Sequence, residues 1–305
     1  MASEQVGMTA LVTAFVRAYH ATNDLPLIFN DYLAQELFSE EEKHFLRQQL
    51  AALAAIVDPE QAGHSENLDD KLATVMQLYN GPITLSRSRY CEEELLKEIQ
   101  NGVEQYIILG AGFDTFAFRH PELMQSLTVF EVDHPVTQSM KRQRIQAANW
   151  KIPKNLHFVP VDFASDQLDE ELRKTEFDPV RKSFLSWLGV TYYLSLDSIN
   201  NTIKVISDLV ETGSVFLFDY IDLDGFSEEK AGQAVRLIRN IVQQVGEPLQ
   251  TGFDPRDLAK FLDAFGFNLD ETLDPTQIGA RYFVDRLDRY RAAENVHFAH
   301  ATLRR

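Results

Sequence analysis

A chain of 305 residues, 45% of them hydrophobic, is long enough for one large α/β domain and apolar enough to fill its core. A net charge of −17 repels phosphate backbones and argues against nucleic acid as a partner. A lone cysteine, Cys91, excludes an intrachain disulfide and cysteine-cluster zinc sites, and no apolar run is long enough to span a membrane.

At the N-terminus, Leu11, Phe15, Ala18 and Tyr19 follow helical spacing while Arg17 and His20 interrupt the apolar run. This reads as an amphipathic helix, not a signal peptide, and places the chain in the cytoplasm. Ser39 with Glu42 three residues on is a capping box that opens a helix over 39–57, stopped by Asp58-Pro59. Further helices are predicted over 67–79, closed by Asn80-Gly81-Pro82, and over 85–100. The pattern then changes. Short apolar runs predict strands over 105–110, 127–132, 156–160, 183–187 and 214–219, with helices over 135–149, 197–210 and 227–245 between them. Such alternation implies a mainly parallel sheet covered on both faces. A helix from Asp254-Pro255 to Phe265 leads to a sixth strand over 266–270, and 295–302 reads as a seventh. The predicted organisation is a helical cap, residues 1–102, closing the site of a Rossmann-like α/β core, residues 103–305.

The chemistry gathers at the predicted strand ends, where open α/β sheets bind ligands. Gly110-Ala111-Gly112 follows the first strand, and glycines there let the backbone turn sharply against a ligand. Glu131-Val132-Asp133-His134 ends the second strand, about twenty residues on, where a carboxylate accepts hydrogen bonds from ribose hydroxyls. Asp162-Phe163 follows the third, an acceptor for an adenine amine beside an apolar ring. Two ligands compete for this arrangement. A nicotinamide dinucleotide needs a third glycine where Thr115 stands, and Asp114 would compete with its pyrophosphate at the next helix N-terminus. S-adenosylmethionine (SAM) carries no phosphate and is cationic at sulfur and amine, so an acidic loop suits it; Asp114 also reads simply as an N-cap.

The segments Leu109 to Thr115, Phe130 to Pro135 and Val159 to Phe163 resemble the leucine carboxyl methyltransferase-like family, a group of class I SAM-dependent methyltransferases. The resemblance extends to Thr84 to Tyr90 and to Ser183 to Leu194, and so covers roughly residues 80–220. It implies a seven-stranded sheet with an antiparallel last strand, a helical lid, and SAM as cofactor. By position, Arg87 would pair with the methionine carboxylate, with Arg89 the alternative. Gly110 and Gly112 would lie along the methionine part, Asp133 at the ribose, and Asp162 and Phe163 at the adenine, with Ala111, Asp114, Glu131, His134 and Leu188 completing the expected cofactor site. The family places a glutamate just ahead of the residue matching Gly189; here that residue is Leu188, which weakens any transfer of leucine-carboxylate specificity.

Methyl transfer needs the acceptor held in line with the leaving sulfur, and an alcohol or phenol gains from a base where a carboxylate does not. Tyr192, Tyr193 and Tyr220, near the ends of the fourth and fifth strands, are the candidate catalytic groups, with Asp219 beside them and Arg281-Tyr282 a weaker signal. The eight histidines form no metal motif; His297 and His300 would point to opposite faces of a strand. The reading is therefore a SAM-dependent methyltransferase acting on a small molecule or carboxylate, most simply at oxygen. A SAM-binding regulator without transfer activity and a nicotinamide-dependent oxidoreductase are the alternatives.

Overall fold

The computed structural model describes residues 8–163, 167–244 and 246–304, without the side chains of residues 61 and 62. The first seven residues and Val245, the expected last residue of the 227–245 helix, lie outside that set. Helix α1 is Met8–Asn23, α2 Glu40–Ala52, α3 Leu68–Leu78 and α4 Gly81–Gln100. Strands and helices then alternate: β1 Gln105–Leu109, β2 Thr128–Asp133, α5 Pro135–Ala147, β3 Leu156–Pro160, β4 Ser183–Trp187, α6 Leu196–Leu209 and β5 Val215–Ile221. Helix α7 (Gln233–Gln244), β6 (Phe267–Leu273), α8 (Pro275–Tyr282) and β7 (Val296–Leu303) complete the chain, with short helical turns between.

The local signals explain most boundaries. Both halves of the Ser39/Glu42 capping box form, at 2.9 and 3.2 Å, and open α2. The helix predicted over 39–57 breaks at Leu53 into α2 and a single further turn. Helix α3 ends just before Asn80-Gly81-Pro82, as expected, and α4 starts at Gly81 and not at 85: proline near a helix start lacks only an N–H that would be unpaired there. Helix α7 begins at Gln233 and not at 227, because the chain first turns at Ser227, whose hydroxyl accepts from the Glu229 and Lys230 N–H groups. Strand β6 runs past Asp270 through an irregularity between Leu269 and Glu271 that the short prediction missed.

The seven strands lie in the order β3-β2-β1-β4-β5-β7-β6, all parallel except β7, which is antiparallel to both neighbours. Every residue of β1, β4 and β5 is buried, as expected for strands covered on both faces. On one face Tyr106, Ile108 and Leu217 share a core with Leu11 and Phe15 of α1 and Leu85 and Leu95 of α4. On the other, Leu109, Trp187 and Phe216 pack with Ile199, Ile203 and Ile206 of α6. The N-terminal helices therefore share the hydrophobic core of the sheet. A buried polar tie adds direction: Arg17 of α1 donates to Asp31 at 2.8 Å and to the Phe113 carbonyl at 2.7 Å, and Thr115 bonds Asp31 from the loop after β1. Among the described residues no helix is long and apolar enough to cross a membrane.

Candidate active site

Strand order reverses between β1 and β4, and a crevice must open at their carboxyl ends. Register fixes what meets there. Leu109 stands opposite Val132 and Trp187, and Asp133 opposite Pro160, so the residues that follow each strand arrive at one level. The result is a cavity of about 800 Å³, toward the upper end of small-molecule sites and roomy enough for a nucleoside cofactor beside a second molecule.

Arg87, Gly110, Ala111, Gly112, Asp114, Asp133, His134, Asp162, Phe163, Leu188, Tyr192 and Tyr193 all line it. Gly110 has φ +72°, and a Cβ there would come 2.4 Å from Val190, so any side chain would both strain the turn and collide. The Asp133 carboxylate accepts from the Gly112 N–H on one oxygen and from the His134 N–H at 2.6 Å on the other. Each oxygen keeps a lone pair for a hydroxyl partner. Burial raises the Asp133 pKa above the usual range, against the lowering by those two backbone donors. Asp114 accepts from the Phe116 N–H at 2.7 Å one residue ahead of Thr115, which takes the N-cap position of the next helical turn in place of the expected Asp114. His134 caps α5, its Nδ1 accepting from the Val136 N–H at 3.3 Å.

Arg87 sits at the centre of a buried cluster. Its Nη1 donates to the Tyr192 hydroxyl at 2.9 Å and to Asp219 at 3.0 Å. The other Asp219 oxygen accepts from the Gly189 N–H at 2.6 Å, and its carbonyl from the Thr191 hydroxyl at 2.8 Å. One carboxylate on β5 thus fixes both the guanidinium from α4 and the turn after β4. Gly189, at φ +75°, leaves the room: a Cβ there would lie 2.5 Å from Arg87 Nη2. Burial pulls the Arg87 pKa down, but Tyr192 and Asp219 outweigh it and the net shift is upward.

Two expected site residues lie elsewhere. Glu131 faces the same side of β2 as Asp133 but two residues deeper, where α5 covers it. It pairs with Lys141, and burial pushes its pKa up to about 7 against the pull of that lysine. Tyr220 alternates away from Asp219 to the opposite face of β5, where it stacks on His297 at 5.0 Å and packs edge-on against Phe253 at 5.9 Å. Neither lines the cavity. Arg89 bonds Glu93 at 2.7 Å and the Ile28 carbonyl at 3.3 Å, Arg281 bonds Glu94 at 2.9 Å and Tyr282 bonds Glu93 at 2.9 Å, all outside the cavity.

Several lining residues carried no sequence signal. Thr9, Val12 and Arg17 of α1, Tyr79, Ile238 and Val242 of α7, and Glu247 close the cavity on the side away from the strands. A Cβ on Gly112 would come 3.2 Å from Ala10, so α1 lies directly on the glycine loop. Helical periodicity marked one face of α1 as buried. It did not say that part of that face borders a cavity.

The model of the leucine carboxyl methyltransferase family matches residues 10–207, more than half of the chain. The chain belongs to that family. It is 37% identical over 307 residues to the Bacillus subtilis (strain 168) protein named "Putative S-adenosyl-L-methionine-dependent methyltransferase YktD", covering 99% of each. A relative of the same description, Franean1_4929 from Parafrankia sp. (strain EAN1pec), is 29% identical over 234 residues, 76% of this chain and 68% of its own. The crystal structure of a DUF574 family protein from Streptomyces avermitilis superposes with a TM-score of 0.57 at 12% identity, over 95% of this chain and 97% of that one. The fold is that of class I SAM-dependent methyltransferases, and this family member is a SAM-dependent methyltransferase. The cavity fits that cofactor: a glycine turn that leaves no room for a Cβ, and lining carboxylates Asp114, Asp133 and Asp162 suited to a cationic nucleoside.

Proposed function

We propose that this family member transfers the methyl group to an oxygen of a small molecule bound between the strand ends and the N-terminal helices. The observation that carries the reading is the state of Tyr192 and Tyr193. Burial raises both phenol pKa values, reinforced at Tyr192 by Asp219 and at Tyr193 by Tyr192, so both stay protonated near neutral pH. A protonated phenol is no base but a hydrogen-bond donor. An amine nitrogen has one lone pair, and a donor placed on it removes the nucleophile. An oxygen has two, accepts from a tyrosine with one and attacks with the other.

Arg87 would hold the methionine carboxylate through the Nη2 edge that Asp219 leaves open, with Gly110, Ala111 and Gly112 along the same part. Asp133 would take the ribose hydroxyls, and Asp162 with Phe163 the adenine. SAM, when bound, supplies an electrophilic methyl: the acceptor oxygen forms the C–O bond, the C–S pair goes to sulfur to give S-adenosylhomocysteine (SAH), and any proton on that oxygen leaves to water. The remaining work is positional. Leu188 and Val190 keep the turn after β4 apolar, and residues 1–102 act as the lid that excludes water. A single buried thiol, Cys91, suits a cytoplasmic location.

Calorimetric titration with SAM, SAH and NADH tests the cofactor half: both sulfur ligands bind and NADH does not. An acceptor screen with product structures assigned by NMR tests the rest. Exclusively N-methylated products would sink the oxygen assignment.

A further inference from the structure

Two oxygen acceptors fit the reading so far, a hydroxyl and a carboxylate, and the charges around the cavity choose between them. Among the described residues lining it, the cations are Arg17 and Arg87. Each is matched by a buried carboxylate before any ligand arrives: Arg17 by Asp31 at 2.8 Å, Arg87 by Asp219 at 3.0 Å. His134 is taken up at Nδ1 by the Val136 N–H. The open edge of Arg87 is committed to the cofactor carboxylate in the proposed function.

The side of the cavity away from the strands is different in kind. Val12, Tyr79, Tyr193, Ile238, Ile241 and Val242 form it, and apart from Arg17, already paired with Asp31, the one formal charge among its described lining residues is Glu247. The Glu247 carboxylate accepts from the Thr9 hydroxyl at 2.6 Å, which fixes it between α1 and the segment after α7. An acceptor carboxylate here would leave water for an apolar wall, beside a like charge, with no unmatched side-chain cation among the described lining residues to meet it. The chain's overall charge of −17 acts in the same direction at longer range.

We propose that the acceptor is an uncharged molecule with an apolar body that presents a hydroxyl, and that Glu247 turns carboxylate-bearing molecules away. The inference rests on the methyltransfer reading and narrows its substrate class. It departs from the carboxylate acceptor after which the family is named. Leu188, where that group of enzymes carries a glutamate, fits the same departure.

The test uses the full chain loaded with SAH and two probes of one shape, 2-naphthol and 2-naphthoate, titrated calorimetrically near neutral pH. Binding of SAH by itself reports on the cofactor assignment; its absence would overturn that reading, and this one with it. With SAH bound, 2-naphthol is expected to bind at least about tenfold more tightly than 2-naphthoate. Glu247→Gln, checked for an unchanged melting temperature, is expected to raise naphthoate affinity and leave naphthol unchanged, so that the gap narrows. Equal or tighter naphthoate binding to the native chain, a gap that Glu247→Gln leaves intact, or failure of both probes to bind the SAH-loaded protein would each overturn the proposal.

Discussion

The two halves of the cavity are built on different principles. The cofactor half is made of strand ends brought level by sheet register, and its polar groups are tied twice or three times over: Asp219 alone holds Arg87 and the Gly189 turn. The acceptor half is made of side chains from α1, the Tyr79 turn and α7, far apart in sequence; the bond from Thr9 to Glu247 joins α1 to the segment after α7, and Gln250 ties that segment to the Tyr192 and Tyr193 carbonyls. A rigid, densely bonded half suits a ligand that every relative must bind. An apolar half assembled from separate helices can change its specificity by single substitutions without disturbing the sheet. Damage to the two halves should therefore differ in kind, not only in size.

The largest effect is expected at Asp219. Asp219→Ala leaves the buried Arg87 guanidinium without its counter-ion and the Gly189 N–H without its acceptor, at a cost of about 3–5 kcal/mol in unfolding free energy. Denaturant melts should show this together with loss of SAH binding. Asp219→Asn keeps an acceptor for Gly189 but loses the charge and the hydrogen bond from Arg87, so it should fall between the native chain and the alanine variant. A melt within experimental error of the native chain for Asp219→Ala would mean that the cofactor half is no more tightly built than the acceptor half.

Next comes Asp133, where the effect should be on affinity. Asp133→Ala is expected to weaken SAH binding by about 1.5–3 kcal/mol, the usual worth of hydrogen bonds to a charged acceptor. Arg87→Ala should weaken it as well. Arg89→Ala, whose side chain pairs with Glu93 outside the cavity, should change it by less than about 0.5 kcal/mol. The pH dependence carries a sign of its own. Burial raises the Asp133 pKa in the folded chain, so the native state holds that proton more tightly than the unfolded state does. The group's contribution to stability is therefore fully present below the unfolded pKa and is lost as pH rises through the folded one. SAH affinity should run the other way, falling on acidification from a pH above the ordinary aspartate range. The fall should be absent in Asp133→Asn; the same fall in that variant would remove Asp133 from the ribose site.

The same contrast decided what could be read from the sequence. Gly110-Ala111-Gly112, Asp133 and Asp162-Phe163 each sit within a few residues of a strand end, and strand ends in a parallel sheet converge by topology. Local pattern was enough to bring them together. Glu131 and Tyr220 were misplaced by the same shortcut. Being close to a strand end does not settle depth or face, and one residue of alternation carries Tyr220 to the other side of the sheet, while two residues of depth leave Glu131 under α5 with Lys141. Asp219, one residue earlier than Tyr220, faces the Arg87 cluster. The acceptor wall was illegible for a different reason. Val12, Ile238 and Val242 follow ordinary helical spacing, and a side chain that borders a cavity looks in sequence like one that borders another side chain.

The smallest expected effect sharpens the contrast most. Thr9→Val removes the hydroxyl that bonds Glu247 and keeps nearly the same volume, so the cavity wall loses one hydrogen bond and no packing. A single such bond to a charged acceptor that is only partly buried is worth about 1 kcal/mol. Helix α1 itself should stay in place, because Arg17 still bonds Asp31 and the Phe113 carbonyl, and Leu11 and Phe15 remain in the shared core. SAH affinity should therefore be unchanged, since no group on the cofactor side has been touched. Acceptor binding should weaken several-fold, because Glu247 is released and the wall between α1 and the segment after α7 is free to part. A variant that lost SAH affinity instead would show that α1 serves the cofactor alone, through its contact with the glycine loop. The two halves would then be one site with a common clasp, and acceptor choice would have to reside in α7 and the loop that follows it.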